Sequence, residues 1–195
     1  RRATSYFPAR RHAADMSTQS TADRIPFVPG TVAGLAAWVL SYLFTYVVTS
    51  PDISNSLLGR FTDLPTWKIV GWVFYNAHFV STNIPGLFGT SSVNLIGEVE
   101  AFSAVLYVFP PLLLVAGGLF AGRQASADDP ASGATSGALV LAGYLPLAVV
   151  GALLFVISAG DTSAGPDLIT GVLLAGAVYP AVFGAIGGAV AGVTN

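Results

Sequence analysis

The sequence predicts an all-α fold: an integral membrane helical bundle of five helices, four of them transmembrane spans and the fifth a short span or an interfacial helix. Three observations carry this expectation. Of 195 residues, 53% are hydrophobic and only 9% are charged, whereas a soluble domain carries roughly 25% charged residues. Such a chain cannot coat a globule with polar surface. Mean hydropathy is +0.70. Uncharged apolar runs of roughly 17 to 25 residues, the length that crosses a bilayer, recur along the chain.

The spans follow in order. The first, about 30–49, is entered through "RIPFVPG" and stopped by Ser50-Pro51. Another, about 101–122, has Glu98 and Glu100 before it and Arg123 behind it. Acids before a helix and a base after it complement its dipole, so those charges have a structural reason. Spans at about 137–159 and 167–193 complete the secure set, the last opened by Pro166-Asp167 as helix starts favour. Between them, "GRQASADDPASGATSG" at 122–137 reads as a mobile loop and "AGDTSAGP" at 159–166 as a tight turn.

Residues 24–195 read as a single transmembrane domain, and 1–23 as a disordered tail. Met16 is the only methionine, and "RRATSYFPARRHAAD" ahead of it reads as upstream sequence or a basic tail, set aside from fold reasoning. From Met16 onward, Arg24, Arg60, Lys68 and Arg123 face nine acidic residues, a net charge of −5.

The fifth element lies in "TWKIVGWVFYNAHFVSTNIPG", 66–86. Pro65 can open a helix and Asn83 to Gly86 can end it, giving an uncertain span at about 67–83. Lys68, Gly71, Tyr75, His78 and Thr82 recur at spacings of three and four and form one polar stripe. That stripe fits a helix in the interface with Trp67 and Trp72 at the headgroups. It equally fits a short span whose polar side faces other helices. Asn76 and His78 are the strongly polar side chains inside it, and an ionisable group at membrane depth is a functional candidate by default. The candidate polar membrane site is therefore Tyr75, Asn76, His78 and Asn83, with Tyr75, His78 and Thr82 turned toward protein or water.

Orientation follows the basic residues. Five spans with an external N-terminus put Arg60, Lys68 and Arg123 in the cytoplasm; four spans with an internal N-terminus put Arg24 and Arg123 there. Both arrangements place Arg123 and the C-terminus in the cytoplasm and Asn83 to Glu100 outside.

Three spans share a theme: Tyr107 before Pro110 and Pro111, Tyr144 before Pro146, and Tyr179 before Pro180. A proline inside a span removes a backbone donor and frees a carbonyl, so these four prolines are candidate helix kinks. The Tyr–Pro spacing runs from three to two to one, so the theme is not a repeat. Prolines are also simply commoner in membrane helices. In the last span Gly184, Gly188 and Gly192 lie four apart, a spacing that lets helix backbones approach closely, within the bundle or between copies of the chain.

The chain offers little to catalysis. Cysteine is absent, which excludes disulfides and thiol chemistry. Zinc needs three or four ligands, and the other histidine, His12, lies in the tail, so no metal or cofactor is expected. Ser81 or Ser103 could pair with His78, but nothing aligns an acid or an oxyanion hole. No Asp or Glu sits inside a secure span. Scattered basic residues give nucleic acid no footprint, leaving the lipid bilayer as the expected partner.

With "RIPFVPG" at 24–30, "PTWKIVGWVFYNAHFV" at 65–80 and "YVFPPLLLVAGG" at 107–118, the chain resembles a group of small haloarchaeal multi-pass membrane proteins of uncharacterised function. Members of that group are sometimes labelled transporters. The resemblance implies an archaeal plasma-membrane location and supplies no substrate or site residues. The expectation is a small solute or ion transport component, with a non-transporting accessory or structural subunit as the alternative.

Overall fold

The structure is a computed structural model that describes residues 27–55, 64–86, 89–100 and 102–194. The tail at 1–23, Arg24, Arg60 and Asn195 lie outside the described residues. Four helical stretches are long and apolar enough to cross a membrane: Phe27–Ser54, Ala104–Gln124, Pro130–Leu154 and Leu168–Thr194.

The first span is α1 (Phe27–Asn55). Its inward face repeats every four residues through Ala33, Ala37, Ser41, Thr45, Thr49 and Ile53, all buried. The threonine hydroxyls are satisfied within the helix: Thr45 Oγ1 donates to Ser41 O at 2.8 Å and Thr49 Oγ1 to Thr45 O at 2.7 Å. Its outward face carries Val28, Val32, Leu35, Val39, Leu43 and Val47, all exposed. The other spans likewise leave Leu112, Phe120, Val150, Leu173, Ile186 and Val190 uncovered. An apolar surface of this extent is foreign to a soluble monomer and is compatible with a membrane setting.

The element at 66–83 is neither a fifth span nor an interfacial helix. Helix α2 covers only Thr66–Asn76, and every residue from Ile69 to Asn76 is buried. From Ile69 onward the helix therefore has no polar face to give to water or headgroups. After Asn76 the chain turns and returns as strand β1 (Thr82–Gly86). The segment is therefore re-entrant: it dips into the bundle and leaves by the same end.

That end carries a small sheet, which corrects the all-α expectation. Strand β1 pairs antiparallel with β2 (Gly89–Val93), and on its other side with β4 (Thr162–Pro166), which pairs with β3 (Ile157–Ala159). The order is β2-β1-β4-β3. The "AGDTSAGP" turn is thus a hairpin, turning at Gly160 with φ 58°. Thr82 faces Pro166 and Asn83 faces Gly165 across the ladder, which ties the re-entrant segment to the entrance of the last span. Short α3 (Leu95–Glu98), capped by the Asn94 side chain, leads back to the bundle.

The remaining spans show where proline acts. A 3₁₀ turn at Ala104–Val108 runs into α4 (Phe109–Gln124), so Pro110 and Pro111 occupy its first turn. There the missing N–H would have been unpaired in any case. The third span is α5 (Pro130–Ala138) followed by α6 (Leu141–Leu154). It starts seven residues earlier than the 137–159 expectation, because Asp129 accepts hydrogen bonds from Ala131 N and Ser132 N and caps it. The supposed mobile loop is largely helix. Pro146 lies inside α6, with the helix interrupted at 139–140 ahead of it.

The last span opens with α7 (Leu168–Thr170), widens into a π-helix (Gly171–Val178), and continues as α8 (Tyr179–Thr194). Pro180, lacking an N–H, sits where the π-helix gives way to α8, a usual place for such an irregularity. Gly184 and Gly188 pack on Gly137 and Gly133 of α5, and Gly192 packs on Asp129 and Pro130. These contacts are made within one chain.

Candidate functional site

Helix α2 runs down the bundle beside α6, and its polar groups mark the descent. Lys68 Nζ donates to Val156 O at 2.6 Å and Trp72 Nε1 to Phe155 O at 2.8 Å. One turn deeper, the Tyr75 hydroxyl donates to Ala148 O. Deeper still, His78 meets Tyr144. Tyr144 precedes the end of α6 at Leu154 by ten residues, about 15 Å of helix at 1.5 Å per residue. The tip of the re-entrant segment is therefore well inside the protein.

Asn76 builds the turn at the tip. Its Nδ2 donates to Val80 O at 2.7 Å and to Thr82 Oγ1 at 3.2 Å, and its Oδ1 accepts from Leu95 N at 2.9 Å. One amide thus clamps the turn, the start of β1 and the start of α3. Phe79 takes the left-handed conformation at φ 59°, a genuine outlier for a bulky residue. It is 61% exposed and stacks on Tyr107 with ring centroids 4.6 Å apart. Strained backbone next to a buried ionisable residue is a feature of functional or tightly constrained sites.

His78 is fully enclosed. Its Nδ1 lies 2.8 Å from Phe74 O and its Nε2 lies 2.7 Å from the Tyr144 hydroxyl. A carbonyl can only accept, so Nδ1 carries the proton; in the neutral ring Nε2 then accepts from the Tyr144 O–H. Phe74 and Tyr179 flank the imidazole at 4.8 and 5.0 Å between centroids.

All three tyrosines of the Tyr–Pro theme converge here. Tyr144 hydrogen-bonds His78, Tyr179 packs on its ring, and Tyr107 stacks on Phe79. Carbonyls freed by the prolines are not what receives His78 and Asn76; hydroxyls, local carbonyls and one backbone N–H do that. Tyr75, Asn76 and His78 are brought together, whereas Asn83 stands apart on the sheet. There its Nδ2 donates to Asp167 Oδ2 at 3.2 Å and its Oδ1 accepts from Ser92 Oγ at 2.7 Å. Asp167 caps the last span, accepting from Thr170 Oγ1 at 2.6 Å and Thr170 N at 2.9 Å. Those Thr170 bonds, aided by Asn83, hold its carboxyl below the ordinary aspartate range.

Sequence reasoning missed the α1 contribution to this centre. Ser41 is fully buried on the inward face of that helix, and the four-residue spacing of Ser41, Thr45 and Thr49 was the available signal.

Two clefts open on the sheet end. An apolar one of about 250 Å³ is bounded by Leu64, Ile69, Trp72, Ile84, Leu95 and Ile157. A more polar one of about 400 Å³ includes Asn83, Ser163 and Asp167. Neither includes Tyr75, Asn76 or His78. Among the described residues no three His, Asp or Glu side chains gather as metal ligands.

Residues 10–195 match a family of unknown function, DUF7978. The chain belongs to that family. The match begins ahead of Met16, so part of the basic segment "RRATSYFPARRHAAD" falls within it. No curated protein and no solved structure matches the chain.

Proposed function

We propose that this DUF7978 protein is a non-catalytic accessory or structural membrane subunit, seated in the plasma membrane with Arg123 and the C-terminus in the cytoplasm. The observation behind this reading is the closure of the polar centre. Tyr75, Asn76 and His78 are completely enclosed, and the polar atoms of Asn76 and His78 are all engaged within the chain. A solute pathway needs polar groups that face a cavity. Here the same groups lock α2 to α3 and α6, as a keystone does. The folded sheet end is the surface such a subunit would offer outside the membrane, and lipid is its partner on the apolar flanks.

A second reading, a small transport component, is favoured by the irregular backbone at one level. The π-helix at Gly171–Val178 reaches the site at Tyr179, and the interruption at 139–140 precedes Tyr144. Several transporters place broken helices around their sites.

One experiment separates the two. The chain has no cysteine, so Ala77→Cys, a small change at a fully buried tip residue, reports on access alone. A closed keystone leaves this thiol unreactive toward small methanethiosulfonates in native membranes for hours. Reaction within minutes would show that the centre opens to water and would favour transport.

A further inference from the structure

Lys68 is the only lysine in the chain, against seven arginines. It stands where helix α2 passes the end of α6. Its Nζ donates to Val156 O at 2.6 Å, two residues beyond the last residue of that helix, Leu154. The same Nζ lies 5.4 Å from the centroid of the Trp67 ring. These contacts fix the ammonium at the sheet-side end of the Pro130–Leu154 span, the level at which lipid headgroups lie.

The protein leaves this cation without a counter-charge. Among the described residues Lys68 makes no ion pair. Asp167, the acid that opens the last span, turns its carboxylate to Thr170 and Asn83 instead. A lysine ammonium has three donors, and Val156 O takes one of them.

A continuous aromatic wall runs beside the ammonium. Trp67 meets Phe155 edge-on at 6.0 Å, Phe155 stacks on Tyr42 at 5.4 Å, and Tyr42 meets Tyr46 at 6.4 Å between centroids. The Tyr42 hydroxyl donates to Trp67 O at 2.9 Å and ties α1 to the start of α2. Trp67 and Tyr46 are both exposed, and amphipathic rings of this kind gather at headgroup level. Val39 and Leu35 follow Tyr46 and Tyr42 along the same face of α1 at spacings of three and four, and both are exposed. A fixed cation above rings that lead to an apolar strip matches an amphiphile with an anionic head. Free phosphate would use the cation alone.

We propose that Lys68 binds the phosphate of an anionic membrane lipid. Trp67 and Tyr46 flank the headgroup, and Val39 and Leu35 lie along its hydrocarbon chain. The site presupposes that the spans sit in a bilayer, and it holds for either functional reading. Whether the chain needs detergent to stay in solution tests that seating separately.

Because Lys68 is the sole lysine, ¹⁵N-lysine labelling of the full chain gives a single side-chain ammonium to follow by NMR. In detergent micelles, phosphatidylglycerol should shift this signal saturably. Phosphatidylcholine, whose phosphate is offset by its own cation, should need about fivefold more lipid for the same shift, the worth of one lysine at an anionic surface. Inorganic phosphate at equal ionic strength should give no saturable shift. Arg123→Gln, which removes a charge from the opposite end, should leave the titration unchanged. In that background, native mass spectrometry reads the retention of phosphatidylglycerol over phosphatidylcholine. Lys68→Gln, whose amide can still reach Val156 O, should lower that preference about fivefold, and Lys68→Arg should keep it. Equal titration by the two lipids overturns the proposal. A saturable shift with inorganic phosphate overturns the lipid assignment, and so does a Lys68→Gln protein that keeps the parent's preference.

Discussion

His78 Nε2 and the Tyr144 hydroxyl are 2.7 Å apart although 66 residues separate them in the chain. This single bond fastens the tip of the re-entrant segment to the third span. Tyr144→Phe keeps the ring and removes the donor, leaving a buried imidazole nitrogen unsatisfied. The expected loss is about 1–3 kcal/mol of stability, read as a lowered melting temperature in detergent. His78→Phe should cost a similar amount. The double variant should cost less than the two together, as directly coupled residues do. Strict additivity would mean that the bond is not made.

Part of this architecture was legible in the sequence, and the boundary has physical causes. Hydropathy located the four long spans, because bilayer thickness imposes a length that composition alone reveals. It could not place α2. The run from Thr66 to Asn76 is as apolar as a span, and only contacts with α1, α6 and the sheet show that protein surrounds it. The strands escaped notice because "TNIPG" and "TSAGP" carry turn-forming residues instead of alternating β-branched ones; pairing, not propensity, makes them strands. Tyr75, Asn76 and His78 stood out because polar groups at membrane depth are costly. Ser41 did not, since a serine in a membrane helix usually satisfies itself.

The glycine face of α8 yields a sharper expectation than small-residue spacing alone. A Cβ added at Gly188 would strike the carbonyl oxygen of Gly133 and crowd Gly137 Cα, so backbone, not a flexible side chain, must move. Gly188→Ala should therefore already destabilise by about 1–3 kcal/mol, and Gly188→Leu should prevent α5 and α8 from assembling. Gly117 is the control, since its added Cβ would meet neighbours no nearer than 3.5 Å. Gly117→Ala should stay within about 0.5 kcal/mol of the parent. Equal melting temperatures for Gly188→Ala and Gly117→Ala would refute close backbone packing.

Asp167 links the cap of the last span to pH. Its carboxyl is held below the ordinary aspartate range, first by the Thr170 hydroxyl and then by the Thr170 N–H. Because the folded value is the lower one, its contribution is fully present above the unfolded value and is lost as pH falls through the folded value. Melting measured from pH 7 downward should fall in that acidic window. Asp167→Asn, which can still cap but cannot titrate, should flatten this part of the profile. Asp167→Ala should cost about 1 kcal/mol at neutral pH. A profile unchanged by Asp167→Asn would assign the acid sensitivity to other carboxylates.

The last expectation concerns which ends of the spans share a side. With four spans, the loop after α4 and the end of α8 lie opposite the sheet, because α4 and the last span descend from the sheet end while α1 and the α5–α6 pair rise toward it. Ser126 and Thr194 mark the first side, and Ser91 marks the sheet; all three are exposed. A cysteine introduced at Ser91 in intact cells should react with an impermeant thiol reagent. Cysteines at Ser126 or Thr194 should react only after the membrane is opened, since Arg123 draws its side to the cytoplasm. The re-entrant geometry adds a demand that a five-span chain would not meet: Ser54, at the sheet-side end of α1, must label on the same side as Ser91. Labelling of Ser54 with Ser126 instead would require the 66–82 segment to cross the membrane, and the re-entrant arrangement would fall.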